Sequence, residues 1–374
     1  MRILQVCPDF PPEAGGIGRH VSQICSGLPE FQFEALTLGR SITSTQYERI
    51  ANAEVIRIPI CKTALEIPHI RDLLRQRFGE YDIVHVHSYQ SLLSVFASVR
   101  FTSPILFTPH YHPYGSSAVL SAMKWLYRPT GRHVMKRAER VIAVSAAEFE
   151  VLGRDFPSAK EKLLLVRHGI DCQKFKRLGP ARRLSEDVVL TYVGRLERYK
   201  GVMELLRCFR ILVTDYPGLA LRIVGQGPLS PAINRFISEA RLSQSVKVHP
   251  FVRDEHLVEL LSSSDIFVLP SRYEAFGLAA AEAMACEVPV VASAVGGLRE
   301  LVVDGETGIL LPSPVKIRDL RSALEKLIVD GELRVRMGAN ARARILSLYR
   351  LERMLELHRQ IYMSTGKRGR ASTV

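Results

Sequence analysis

Short apolar runs alternate with amphipathic stretches along the whole chain. The runs fall at 2–6, 34–38, 54–58, 83–87, 105–108, 141–144 and 163–167 in the first half, and at 188–193, 220–224, 246–249, 266–269, 288–292 and 308–311 in the second. Strand-length runs separated by helical periods predict parallel sheets with crossover helices. Two such sets predict an α/β protein of two doubly wound domains, with ligands beyond the carboxyl ends of the strands and in the cleft between the domains. The segment 168–180 lacks helical period and leads into a polar stretch to Asp187, which makes it the expected linker. The expected domains are therefore 1–180 and 181–345. A last arginine-rich helical pattern, roughly 333–363, is longer than the second sheet needs. It is expected to cross back to the first domain within a 346–374 segment whose basic tail, 366–374, reads as disordered.

The stretch RYEAFGLAAAEAMACEVPVVAS, residues 272–293, carries the clearest chemistry. Leu278 to Ala285 are strong helix formers, Gly277 ends the loop before them, and VPVVAS has the unbroken apolar character of a buried strand. Glu274 then lies outside the helix and Glu282 on it. Exposed amides at a helix start attract anions, and a carboxylate one turn further in can accept hydrogen bonds from two ribose hydroxyls.

Composition narrows the picture. A chain of 374 residues with 47% hydrophobic and 24% charged positions is ordinary for a globular protein of two domains. The apolar start is too short for a signal-peptide core, and no window reaches the length of a membrane-spanning helix. The six cysteines form no Cys-x-x-Cys pair, so neither a disulfide nor a zinc site is expected and a reducing cytoplasm fits. The net charge of +13 is spread evenly, +7 over residues 1–180 and +6 over the rest, which favours small polyanionic ligands over nucleic acid. One local exception is 117–141, where Lys124, Arg128, Arg132, Lys136 and Arg140 recur every four residues among Trp125, Tyr127 and aliphatic positions. This is a candidate contact with an anionic membrane surface, and it would make the protein peripheral at the inner face of the membrane.

Further candidates sit after predicted strands. Gly194-Arg195-Leu196-Glu197-Arg198-Tyr199-Lys200-Gly201 places a forked donor, Arg195, and a point charge, Lys200, on one loop, where they can neutralise a leaving diphosphate. His110 stands in the loop Thr108-Pro109-His110-Tyr111-His112, able to donate to a sugar hydroxyl or phosphate. Gly15 and Gly16 allow close backbone approach before a helix starting near Ile17, and Gly225 and Gly227 form a similar turn beside a nucleobase position. There is no Asp-x-Asp, P-loop or Gly-x-Ser-x-Gly, so a metal-clamped diphosphate, nucleotide hydrolysis and esterase chemistry are not expected.

In order along the chain, PPEAGGIG (11–18), FTPHYHP (107–113), VIAVS (141–145), RHGID (167–171), VGRLERYKG (193–201), VGQGP (224–228), the 264–293 stretch and GGLRELVVDGETGIL (296–310) resemble glycosyltransferase family 4 over nearly the whole length. The resemblance implies the GT-B architecture of two Rossmann-like domains. It also implies a retaining transfer of a hexose from a UDP- or GDP-sugar to a hydroxyl acceptor, glycan or lipid-linked, without a metal or other cofactor. It implies that Glu282 binds ribose and that Glu274 lies near the donor sugar. Backbone groups of Ala275, Phe276, Gly277, Leu278 and Ala279 are implied to meet the donor. Gly194, Arg195 and Lys200 are implied to hold the diphosphate, with Gly16 and His110 facing it from the first domain. One departure is Arg299, at a position commonly proline in such sequences. Two rival readings are a nucleotide-sugar epimerase or phosphorylase on the same fold, and a catalytically silent sugar- or membrane-binding module.

Overall fold

The structure, a computed structural model, describes residues 1–12, 15–39, 42–59, 81–89, 91–111, 131–179 and 187–371. The chain divides into two compact units. Unit 1 comprises Met1–Gly169 with Glu352–Val374, and unit 2 is Ile170–Leu351.

Unit 1 runs β1 (Arg2–Val6), α1 (Gly16–Gly27), β2 (Gln32–Gly39), β3 (Gln46–Ile50), β4 (Ala53–Pro59), β5 (Ile83–His87), α2 (Leu92–Arg100), β6 (Ile105–Thr108), β7 (Arg140–Ala143), α3 (Ala146–Asp155) and β8 (Leu163–Leu165). The sheet order is β3-β4-β2-β1-β5-β6-β7-β8. Every pairing is parallel except β3 with β4. The seven parallel strands are those that the apolar runs predict. β3 is an addition: its sequence, QYERI, has four exposed side chains and no apolar run, so only its backbone pairing with β4 makes it a strand. On α1, His20, Val21, Ile24 and Cys25 fall on one buried stripe at helical spacing.

Unit 2 runs β9 (Val189–Val193), α4 (Val202–Asp215), β10 (Ala220–Val224), α5 (Ser230–Glu239), β11 (Val246–His249), α6 (Asp254–Ser262), β12 (Ile266–Leu269), α7 (Leu278–Ala285), β13 (Val290–Ser293), α8 (Leu298–Leu301), β14 (Gly308–Leu311), α9 (Ile317–Val329) and α10 (Gly331–Leu348). All its strands pair in parallel, in the order β11-β10-β9-β12-β13-β14. This is the doubly wound order, with its reversal between β9 and β12. Helix α7 has no polar face: Ala280 to Ala285 are all buried, and the small alanines let it lie inside the fold.

The last helical pattern is two helices rather than one. It breaks at Tyr349 and Arg350, where Tyr349 is buried and Arg350 forms a bridge with Ile170. The final helix, α11 (Leu351–Ala371), belongs to unit 1 from Glu352 onward. Its Met354, His358 and Tyr362 are buried, and Tyr362 Oη accepts a hydrogen bond from Gln5 of β1 at 2.9 Å. The units therefore part at Gly169/Ile170 and Leu351/Glu352, upstream of 180 and downstream of 345. Helix α11 continues to Ala371, into the segment whose composition reads as disordered. Thr365 is buried, and a Cβ on Gly366 would lie 2.3 Å from Met1 Cε.

Of the basic stretch 117–141, residues 117–130 lie outside the described part. The helical turns at 131–137 bury Val134 and Met135 in the core while Arg132 and Lys136 stay exposed. Among the described residues no helix is long and apolar enough to cross a membrane.

Candidate active site

At the switch point of unit 2, residues 194–201 leave β9 and residues 270–277 leave β12, and it is there that open parallel sheets take ligands. Gly201, with φ of +73°, ends the 3-10 turn Arg198–Lys200. A side chain at 201 would meet the Pro270 carbonyl at 2.2 Å, so glycine is what lets the two loops close together. The Arg272 amide donates to the Tyr199 carbonyl at 2.7 Å, and Lys200 Nζ donates to Glu274 Oε1 at 2.5 Å. Ser271 Oγ donates to the same carboxylate oxygen at 3.2 Å, and the ammonium lies 5.2 Å from the Tyr199 ring centre.

Both partners of this ion pair are largely desolvated, with side chains 14% and 11% exposed. Burial works to lower the lysine pKa, but the adjacent Glu274 carboxylate outweighs it and the net shift is upward. Lys200 is thus a buried, permanently charged cation. Arg195 stands differently: its side chain is 68% exposed and pairs with Glu197, while its carbonyl accepts from Tyr192 Oη at 3.1 Å.

The loop carrying Glu274 is clamped by a glycine pair after β13. Gly296 has φ of +46°, and a Cβ there would fall 1.8 Å from the Glu274 carbonyl oxygen. A Cβ on Gly297 would fall 2.5 Å from Phe276 Cα, and the Gly297 amide donates to the Glu274 carbonyl at 3.2 Å. Gly277, with φ of +100°, turns the chain into α7 without a side-chain cap. Because Ala281 is the first residue to bond back, to the Gly277 carbonyl, the amides of Leu278, Ala279 and Ala280 have no intrahelical acceptor. Glu282, 4% exposed, sits one turn into that helix. A cation, free helix-start amides and a buried carboxylate in one short region suit an anion with hydroxyls beside it.

Gly194, Gly225 and Gly227 have a packing reason. A Cβ on Gly225, at φ +146°, would lie 1.9 Å from the Gly194 carbonyl oxygen, and one on Gly227 would lie 2.6 Å from that of Leu196. The loops after β9 and β10 thus run in contact, joined by Gly194 N–H to Val224 at 2.9 Å and Leu196 N–H to Gln226 at 3.0 Å.

In unit 1, Gly15 caps α1 and Gly16 is its first residue. Asp9 Oδ1, from the loop after β1, accepts from the Gly18 amide at 2.8 Å. His110 follows β6 with φ of +48°, a left-handed conformation that costs a non-glycine residue about 1 kcal/mol or more and concentrates at functional sites. Bonds from Ser88 N–H to the Thr108 carbonyl at 3.0 Å and Tyr89 N–H to the Pro109 carbonyl at 2.7 Å hold its loop. The next amide, of Tyr111, donates to buried Glu148, which also accepts from Val144 N–H at 2.8 Å. Burial raises the Glu148 carboxyl to about 7 against those two bonds. His112 lies outside the described residues. Glu148, Tyr199, Ser271 and the way Gly296 and Gly297 act escaped the sequence reading, because all but Ser271, which bonds Glu274 three residues on, matter through a partner distant in the chain.

Comparison with known proteins agrees with this geometry. Residues 14–174 match the model of Glycosyltransferase Family 4, and residues 179–344 match that of Glycosyl transferases group 1. Glycogen synthase of Mycobacterium tuberculosis is 28% identical, over 99% of this chain and 96% of its own. D-inositol 3-phosphate glycosyltransferase of Actinosynnema mirum is 32% identical, over 73% and 70%. Among solved structures, sucrose-phosphate synthase of Thermosynechococcus elongatus superposes with a TM-score of 0.83 at 25% identity, covering 97% of this chain and 98% of its own. Anabaena HepE in complex with UDP-glucose superposes at 0.79 and 19% identity, covering 97% and 100%. Two doubly wound α/β units, the switch-point loops of unit 2 and these matches together establish that the chain is a glycosyltransferase of family 4, with the GT-B fold and a nucleotide-sugar donor.

Proposed function

We propose that the protein is a retaining hexosyltransferase that takes a UDP- or GDP-sugar and passes the sugar to a hydroxyl of a glycan or lipid-linked acceptor. The observation that carries the donor assignment is the buried Lys200–Glu274 pair at the carboxyl ends of β9 and β12, beside the uncapped start of α7. In this reading Lys200, Arg195 and the amides from Ala275 to Ala279 neutralise the diphosphate, with no metal bridging it. Glu282 takes the ribose and Glu274 faces the donor sugar. Fixed donors that meet the charge developing on a leaving diphosphate stabilise the transition state more than the ground state.

A thermal-shift panel of UDP-, GDP- and ADP-sugars tests the donor. The cognate nucleotide raises the melting temperature with the logarithm of its concentration, and a flat response to the whole panel would overturn the donor assignment. Anomeric configuration of the product, read by NMR, tests retention: an inverted product rejects it. Lys200→Ala with undiminished transfer would sink the diphosphate role.

A further inference from the structure

Six histidines are gathered in unit 1: His20 on α1, His85 and His87 on β5, His110 after β6, His168 after β8 and His358 on α11. Their ring centres lie 4.1 to 6.0 Å from their neighbours. Five of them are fully or nearly fully buried. Burying so many polar rings together costs free energy unless their nitrogens are satisfied.

The hydrogen bonds dictate where the lone pairs point. The Gln5 amide donates to Tyr362 Oη at 2.9 Å, which turns its carbonyl oxygen towards His87 Nε2 at 2.8 Å. His87 Nε2 must therefore carry the proton, and its Nδ1 bears a lone pair that is buried and meets no donor. His20 Nδ1 contacts His168 Nδ1 at 3.1 Å, leaving His20 Nε2 equally buried and equally without a partner. One ring nitrogen from each of His20, His87 and His110 lies within 4.8 Å of those of the other two. Ligands of a tetrahedral ion stand about 3.4 Å apart, so closing the trio takes a movement of about 1 Å per ring. His110 is the part-exposed member of the three.

We infer that His20, His87 and His110 form a binding site for a divalent transition-metal ion of the zinc type, with Gln5 and His168 orienting two of the ligands from behind. All-imidazole sets suit such ions, and three protein ligands leave a fourth position for water or an exogenous group. The Gln5–His87 contact is an outer hydrogen bond that fixes the tautomer of a ligating imidazole, and the His168–His20 contact fixes a ring orientation. The site shares His110 with the donor contacts that the family resemblance implies, while the diphosphate itself is assigned to Lys200 and Arg195.

The test uses the full chain without an affinity tag, stripped with chelator and titrated with Zn²⁺ by calorimetry and with Co²⁺ by visible absorption. One ion per chain is expected, lost in His20→Ala and in His87→Ala, weakened about 10- to 100-fold in Gln5→Leu, and kept in His256→Ala. His256 is the control because it sits beside His249 and Glu259 on the surface of unit 2, a rival place for a loosely held ion. X-ray absorption of the zinc-loaded wild-type protein needs no variant to fold and should show three imidazole nitrogens on the metal. No bound ion, a shell without three imidazoles, or an ion removed by His256→Ala but not by His87→Ala would overturn the inference.

Discussion

At the scale of single residues, Lys200 and Glu274 act as one unit, because each is buried with the other as its compensating charge. Removing one partner of a buried pair costs about 3–5 kcal/mol, so Lys200→Met weakens the fold as well as the site. In protein shown to be folded by circular dichroism, Lys200→Met should lower kcat on the order of 10²- to 10³-fold. Arg195→Met should do so with no measurable loss in melting temperature, because Arg195 is exposed and its pair with Glu197 is screened by solvent. Glu148 offers a pH test. Its folded pKa, about 7, lies above the ordinary 4.5, so its share of stability is fully present below pH 4.5 and is lost as pH rises through 7. Glu148→Gln does not titrate. Urea melts from pH 4.5 to 7.5 should therefore show the wild type losing about 3 kcal/mol relative to the variant, and parallel curves would disprove the shift.

Among elements, the loops after β9, β12 and β13 hold one another through glycines. Gly296→Ala would push a methyl group into the Glu274 carbonyl and demand a left-handed alanine. The strain is on the order of 1–3 kcal/mol, and relieving it moves the loop that carries Glu274. The expected outcome is a modest drop in melting temperature with a disproportionate loss of transfer activity; unchanged kcat/KM would show that the loop position is not critical. The same elements show what a sequence can reveal. The start of α7, its glycine and the place of Glu282 were legible, because helix propensity and a positive-φ glycine act over a few residues. β3 was not, because an exposed edge strand is chosen by its neighbour rather than by its own side chains. Nor was the break between α10 and α11 at Tyr349, where continuous helix formers are interrupted because Arg350 bridges Ile170 and Tyr349 is buried.

For the whole molecule, unit 2 is one continuous segment with its own core, whereas unit 1 needs both ends of the chain. Residues 170–351 made alone should melt cooperatively, and residues 1–169 alone should not, since α11 supplies Tyr362 to Gln5 and His85 and fills the surface beside Gly27, where a Cβ would meet Leu355 at 2.3 Å. A cooperative melt of 1–169 would show that the closing helix is dispensable. By itself the sequence determined the parallel strands, because strands buried on both faces must be continuously apolar, and the helix start at Gly277, because backbone conformation is a local matter. Only the tertiary structure decided that Lys200 meets Glu274, that six histidines converge and that the last helix returns to the first strand. Those contacts join residues tens to hundreds of positions apart, and their energies depend on what burial brings beside a charge or a lone pair, which no local pattern encodes.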